Sequence, residues 1–166
     1  MPFISTTDKT TLFYTDWGDG EPVVFTHAWA LNSEMWAYQM PDFIGAGLRC
    51  VAYDRRGHGR SDRPRQGYDY DTFADDLATV VDRLDLDNVT LVGYSAGCGD
   101  VVRYVSRHGA DRVARAILIA PTLPMFLQTP DNPDGLDPAL AMASAEKLGR
   151  DVPQWCADNA HLFPAP

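Results

Sequence analysis

The amino-acid sequence predicts an α/β layered fold, with a mixed, mostly parallel sheet flanked by helices. Short apolar runs alternate with longer stretches of helical period through the first 120 residues. Residues 89–92 show no polar–apolar alternation, as expected of a parallel strand covered by helices on both faces. Beyond them Pro121, Pro124, Pro130, Pro133 and Pro138 forbid regular structure and lead the chain out of the sheet.

Residues 12–17 read as a strand, Gly18-Asp19-Gly20 as a turn, and residues 22–26 as the partner that completes a hairpin. A helix is expected over 34–47, with Met35, Trp36, Met40 and Phe43 on one face and Gly45 and Gly47 at its end. Residues 49–53 form the next strand. Helical period is clearest over 72–84, where Phe73, Leu77, Val80, Val81 and Leu84 line one face and Thr72 with Asp75 suggests a capping pair. The strand at 89–92 leads into a helix over 95–108, and 115–120 reads as a further buried strand. Residues 139–148 and 153–162 read as two short helices. The expected division is a core over residues 1–123 and the beginning of a cap over 124–166, an excursion above the sheet with right-handed crossovers below it.

Composition narrows the function. The chain has 166 residues, 45% of them hydrophobic and 22% charged, which excludes a disordered chain and permits a real core. Fourteen Lys and Arg against 23 Asp and Glu give a net charge of −9 without a basic cluster, so neither nucleic acid nor a membrane is an expected partner. Small neutral or cationic substrates remain. Cys50, Cys98 and Cys156 are odd in number and form no CxxC pair, which reads as buried, reduced thiols and not as a disulfide framework or zinc site. Residues 1–10 lack a basic region followed by an apolar stretch, so a cytoplasmic location is expected.

The sharpest chemical feature is Gly93-Tyr94-Ser95-Ala96-Gly97, a G-x-S-x-G pattern between a strand and a helix. Such a turn holds its serine in strained backbone geometry, and side chains at Gly93 and Gly97 are expected to clash with neighbouring strands. Ser95 would then stand at a helix N-terminus, where N–H groups and the dipole favour negative charge. The Ala96 N–H is the natural first donor to an oxyanion, and the Trp29 N–H, after the strand at 22–26, is the candidate second donor. Gly93, Gly97 and Gly99 also resemble a dinucleotide-binding turn. That turn belongs after the first strand of a Rossmann unit, and the dehydrogenases that use it need a Tyr four residues before a Lys, which neither Lys9 nor Lys147 has.

The elbow, the loop His27-Ala28-Trp29, the charged run at 54–62 and the helix start Tyr70-Asp71-Thr72-Phe73 together resemble the α/β-hydrolase family, in its cofactor-free haloperoxidase and aryl-esterase branch. The resemblance spans residues 7–135. It implies an α/β-hydrolase fold and a serine esterase without metal or cofactor. Ser95 would be the nucleophile, and Ala96 and Trp29 would complete the catalytic group. Water, or hydrogen peroxide in many members, would attack the acyl-enzyme. Ala28 stands where the family usually has glycine, and Ala30 where peracid-forming members often have proline, so ester hydrolysis is supported more firmly than perhydrolysis. An Asp nucleophile, which the resemblance implies for dehalogenases and epoxide hydrolases, is absent from this elbow.

A serine nucleophile also needs a histidine and an acid later in the chain. His108 lies on the helix that follows Ser95, His161 sits beside the last residues, and His27 and His58 precede the nucleophile; all four read as structural. The resemblance implies that the sheet lacks its last strands, with the Asp and His of the triad, at roughly 100 residues for the missing units. Ile117, Leu118 and Ile119 would then lie on a sheet edge short of cover, so a second polypeptide is the expected partner alongside a small-molecule ester or acid substrate. A catalytically inactive scaffold or ligand-binding fragment is the alternative.

Overall fold

The computed structural model describes residues 2–123 and 126–160, which fall into two compact units divided after Thr122. The first holds a six-stranded sheet of β1 (Phe3–Ser5), β2 (Thr11–Trp17), β3 (Glu21–Thr26), β4 (Leu48–Tyr53), β5 (Val89–Tyr94) and β6 (Val113–Ile119). Their order is β1-β2-β4-β3-β5-β6. β1 and β2 run antiparallel to their neighbours, and β4, β3, β5 and β6 are mutually parallel.

This order corrects the expected hairpin. β4 lies between β2 and β3, pairing Cys50 with Trp17 on one side and with Val23 on the other. Gly18 and Gly20 serve that crossing instead of a tight hairpin turn. Both have positive φ, and a Cβ would fall 2.6 Å from the Leu48 carbonyl oxygen at Gly18 and 2.2 Å from that of Gly47 at Gly20.

Alternation along the central strands sends side chains to two covered faces. Val24, Val51, Tyr53, Val89 and Leu91 meet Leu77, Val80 and Val101 from α2 (Tyr70–Arg83) and α3 (Gly97–His108). On the other face Val23, Phe25, Cys50, Ala52 and Val92 meet Trp36, Met40 and Phe43. The latter come from a 3₁₀ turn, Ser33–Trp36, and α1 (Met40–Gly45), not from the single helix expected over 34–47. Pro41 is the reason: without an N–H it is tolerated only in a first turn, so a new helix starts there.

The cap of α2 is Asp69, which accepts from the Thr72 N–H at 2.9 Å, and not a pairing of Thr72 with Asp75. Asp75 instead binds Arg107 and His108. Of the cysteines, Cys50 and Cys98 are buried but Cys156 is exposed, contrary to expectation. β6 has β5 along one edge, and Ile117, Leu118 and Ile119 are 39–41% exposed.

The second unit contains α4 (Pro138–Arg150) and α5 (Val152–Asp158), capped by Asp137 and Asp151, with Trp155 donating to Ser144 at 2.9 Å. None of the residues in these two helices is buried. The expected helix ending at 162 and the expected site of His161 reach outside the described residues. No described helix is long and apolar enough to cross a membrane.

Candidate active site

Ser95 occupies the turn between β5 and α3 with φ +51, a left-handed value rare for a residue with a Cβ. The expected helix from 95 thus begins at Gly97, and Ser95 stands ahead of it, half-buried. Its N–H donates to the Ile119 carbonyl at 2.9 Å, and its own carbonyl accepts from the Cys98 N–H at 3.0 Å. The Cys98 thiol donates to the Gly93 carbonyl at 3.1 Å, fixing the other side of the turn.

Glycine is required on both sides of the serine, for different reasons. A Cβ on Gly97 would lie 2.5 Å from the Thr26 oxygen and 2.8 Å from the His27 oxygen, at the end of the neighbouring strand β3. A Cβ on Gly93 would meet Gly97 and Cys98 at 2.7–2.8 Å, so its obstacle is the chain's own next turn and not, as expected, a neighbouring strand. α3 therefore leaves β5 in close contact with backbone. The Cys98 and Gly99 N–H groups of its first turn bond the Ser95 and Ala96 oxygens, and no acceptor for the Ala96 N–H occurs among the described residues.

Trp29 lies in the loop after β3 and is half exposed. His27, wholly buried, organises that loop. Its Nδ1–H donates to the Ala28 oxygen at 2.7 Å, and its Nε2 accepts the Arg55 N–H at 2.9 Å. Burial above all holds the ring neutral, moving its pKa down to about 3. Ala30 closes the loop with φ +62.

The loop after β4 is built from buried charge. Asp54 accepts from the Ser33 N–H at 2.7 Å and the Arg60 N–H at 2.8 Å. Arg55 makes two bonds to Asp100, of 2.7 and 2.9 Å, and lies 4.1 Å over the Phe73 ring. Burial pushes Asp100 up to about 6, against the pull of the Arg55 guanidinium. Arg56 makes two 2.6 Å bonds to Asp76 and one of 2.9 Å to Asp8. The charges at 54–62 are thus structural. The pairing of Arg55 with Asp100 could not be read from sequence, because partners 45 residues apart leave no local pattern.

The described histidines other than His27 also have structural partners. His58 donates from Nδ1 to the Arg56 oxygen at 2.9 Å and packs against the His27 ring at 5.1 Å. His108 binds Asp75 at the far end of α3, eleven residues and about 17 Å from Gly97 at 1.5 Å per residue. Among the described residues no group of His, Cys, Asp and Glu has the arrangement of a metal site.

Residues 21–159 match the family model described as the alpha/beta hydrolase fold. The chain is 49% identical over 136 residues to a non-heme haloperoxidase of Rhodococcus erythropolis, covering 82% of this chain and 50% of that protein. It is 43% identical over 163 residues to the non-heme chloroperoxidase CPO-A1 of Kitasatospora aureofaciens, covering 98% of this chain and 59% of the other. An esterase structure from Exiguobacterium antarcticum superposes with a TM-score of 0.94 at 36% identity, over 99% of this chain and 62% of that one. The chain thus spans one half to about three fifths of these proteins' length. With its mostly parallel sheet and its similarity to haloperoxidases and esterases, the chain belongs to the α/β-hydrolase family.

Proposed function

We propose that this chain carries the nucleophile and oxyanion site of a serine esterase. The observation that carries the reading is Ser95 at φ +51 on the sharp turn between β5 and α3, with α3 starting two residues later. Ser95 Oγ attacks the ester carbonyl carbon as a base takes its proton. The carbonyl oxygen becomes an oxyanion held by the Ala96 and Trp29 N–H groups. Collapse releases the alcohol, which takes the proton back from the base, and leaves an acyl-Ser95. Attack by water then frees the carboxylic acid, whereas attack by hydrogen peroxide would free a peracid able to oxidise halide. Ala30 stands where the family resemblance places proline in peracid-forming members, and its φ of +62 is closed to proline, so attack by water is the better supported route.

The described histidines supply no candidate base, since His27 uses both ring nitrogens and His108 lies across the length of α3. The base and its acid come from polypeptide beyond these elements, which supplies further strands against the edge of β6 that has no strand partner among the described residues. Loss of the base from a serine triad costs about 10⁶ in turnover. The chain by itself is therefore expected to be inactive.

The test is hydrolysis of an aryl acetate by the chain co-expressed with a polypeptide that supplies the later strands. Turnover that disappears in Ser95→Ala supports the proposal. Turnover unchanged in Ser95→Ala refutes it, and a well-folded complex without turnover favours a scaffold or ligand-binding role.

A further inference from the structure

We propose that the buried ion pair of Arg55 and Asp100 is a positioning device that holds the two oxyanion donors, Ala96 and Trp29, in one frame. The proposal rests on the esterase reading above. The donors belong to distant segments, one opening α3 and the other after β3, and an oxyanion must find both at about 2.7–3.1 Å. Gly97 packs directly on the Thr26 and His27 oxygens, which brings the two segments together, but nothing local to either segment sets the direction of the Trp29 N–H.

A continuous path does. Asp100 sits in the first turn of α3, four residues after Ala96, so its carboxylate moves with the helix start that carries the first donor. It takes two hydrogen bonds from Arg55, whose guanidinium is held from the side by Phe73. The Arg55 backbone N–H then donates to His27 Nε2, which leaves Nδ1 as the protonated nitrogen, and Nδ1–H donates to the Ala28 oxygen. That last bond decides the geometry. The Ala28 carbonyl and the Trp29 N–H are two ends of one planar peptide group, so fixing the oxygen fixes the direction of the N–H. Asp100 is wholly buried and Arg55 nearly so, and a buried ion pair is commonly no more stabilising than apolar side chains of equal volume. Alignment of two segments is a role that apolar packing would not fill with the same directional precision.

The experiment compares kcat and KM for aryl acetate hydrolysis in the assembled enzyme carrying Asp100→Asn, Asp100→Glu, or Arg55→Met with Asp100→Leu. The double variant leaves no lone buried charge, so it decides the matter if Asp100→Asn fails to fold. Removing one oxyanion donor costs 10²–10³ in kcat, so tilting one is expected to lower kcat about tenfold with KM within about twofold. Asp100→Glu should recover most of the loss. The Trp29 amide and His27 ring resonances of the full chain should shift in the double variant while its unfolding midpoint stays close to the parent's. A double variant with parental kcat and unmoved Trp29 and His27 resonances overturns the proposal and leaves the esterase reading intact. A parent whose turnover is independent of Ser95 removes both.

Discussion

Replacing Gly97 with alanine places one methyl group where the nucleophile helix meets β3. The new Cβ would lie 2.5 Å from the Thr26 oxygen and 2.8 Å from the His27 oxygen, both backbone atoms at the end of the central strand β3. An ordinary carbon–oxygen contact needs roughly 0.7 Å more than the shorter distance, and backbone cannot swing aside as a side chain can. Overpacking of this kind costs about 1–3 kcal/mol, slightly offset by the better helix propensity of alanine. A net loss near 2 kcal/mol corresponds to a fall of about 4–8 °C in melting temperature for a domain of this size. Because α3 must move away from β3, the Ala96 N–H moves with it, and Ser95 reactivity should fall by at least tenfold. Gly149→Ala is the matching control, since a Cβ there meets nothing within 4 Å and helix propensity favours it by up to about 1 kcal/mol. The assay is urea unfolding at one fixed protein concentration, because association shifts apparent stability. A Gly97→Ala protein as stable and as reactive as the parent would refute the packing argument.

The neutral state of His27 makes stability depend on pH. Its folded pKa, about 3, lies below the ordinary 6.5, so the unfolded chain binds the extra proton between these values and stability falls as pH drops through them. The stability advantage of the parent over His27→Gln should shrink by about 1.4 kcal/mol per pH unit below 6.5, and an advantage independent of pH would contradict it. Asp100 acts in the opposite sense, its raised pKa of about 6 making the native state gain stability as pH falls from 6 to 4, so the difference between parent and variant is the informative quantity. Asp76→Ala, which strips Arg56 of its two-bond partner, should cost about 3–5 kcal/mol, less whatever Asp8 restores; Arg56→Met with Asp76→Leu should lie near the parent in urea unfolding. On β6, Ile117→Lys with Ile119→Lys should abolish self-association of the chain in sedimentation, whereas a parent that sediments as a monomer and melts in one sharp transition would show that the open edge needs no partner.

The central strands, α2 and α3 were legible because their signals are local: an apolar run, a helical period, a glycine-flanked serine between the two. The same locality explains the errors. Thr11–Trp17 and Glu21–Thr26 follow one another around a glycine turn, yet β4 comes between them, and strand order is settled by sheet packing and not by neighbouring residues. Pro41 was visible but outweighed by the apolar spacing around it, although a missing N–H is decisive inside a helix. Thr72 followed by Asp75 fits a capping pattern, but Asp69 has the extended backbone a cap needs, and that is a property of the chain's entry into the helix. At the site, the sequence supplies Ser95, Ala96 and Trp29 as candidates by pattern and resemblance. The network of His27, Arg55 and Asp100 beneath them joins three segments through buried bonds, and no spacing in the chain announces it.

The most direct measurement is the intact mass of the chain after treatment with a fluorophosphonate, in the presence of a polypeptide that supplies the later strands. One equivalent of phosphonate on Ser95, absent from Ser95→Ala and strongly reduced when this chain is treated alone, is the predicted result. A complex that forms and folds but leaves Ser95 unmodified would contradict the assignment of Ser95 as the nucleophile.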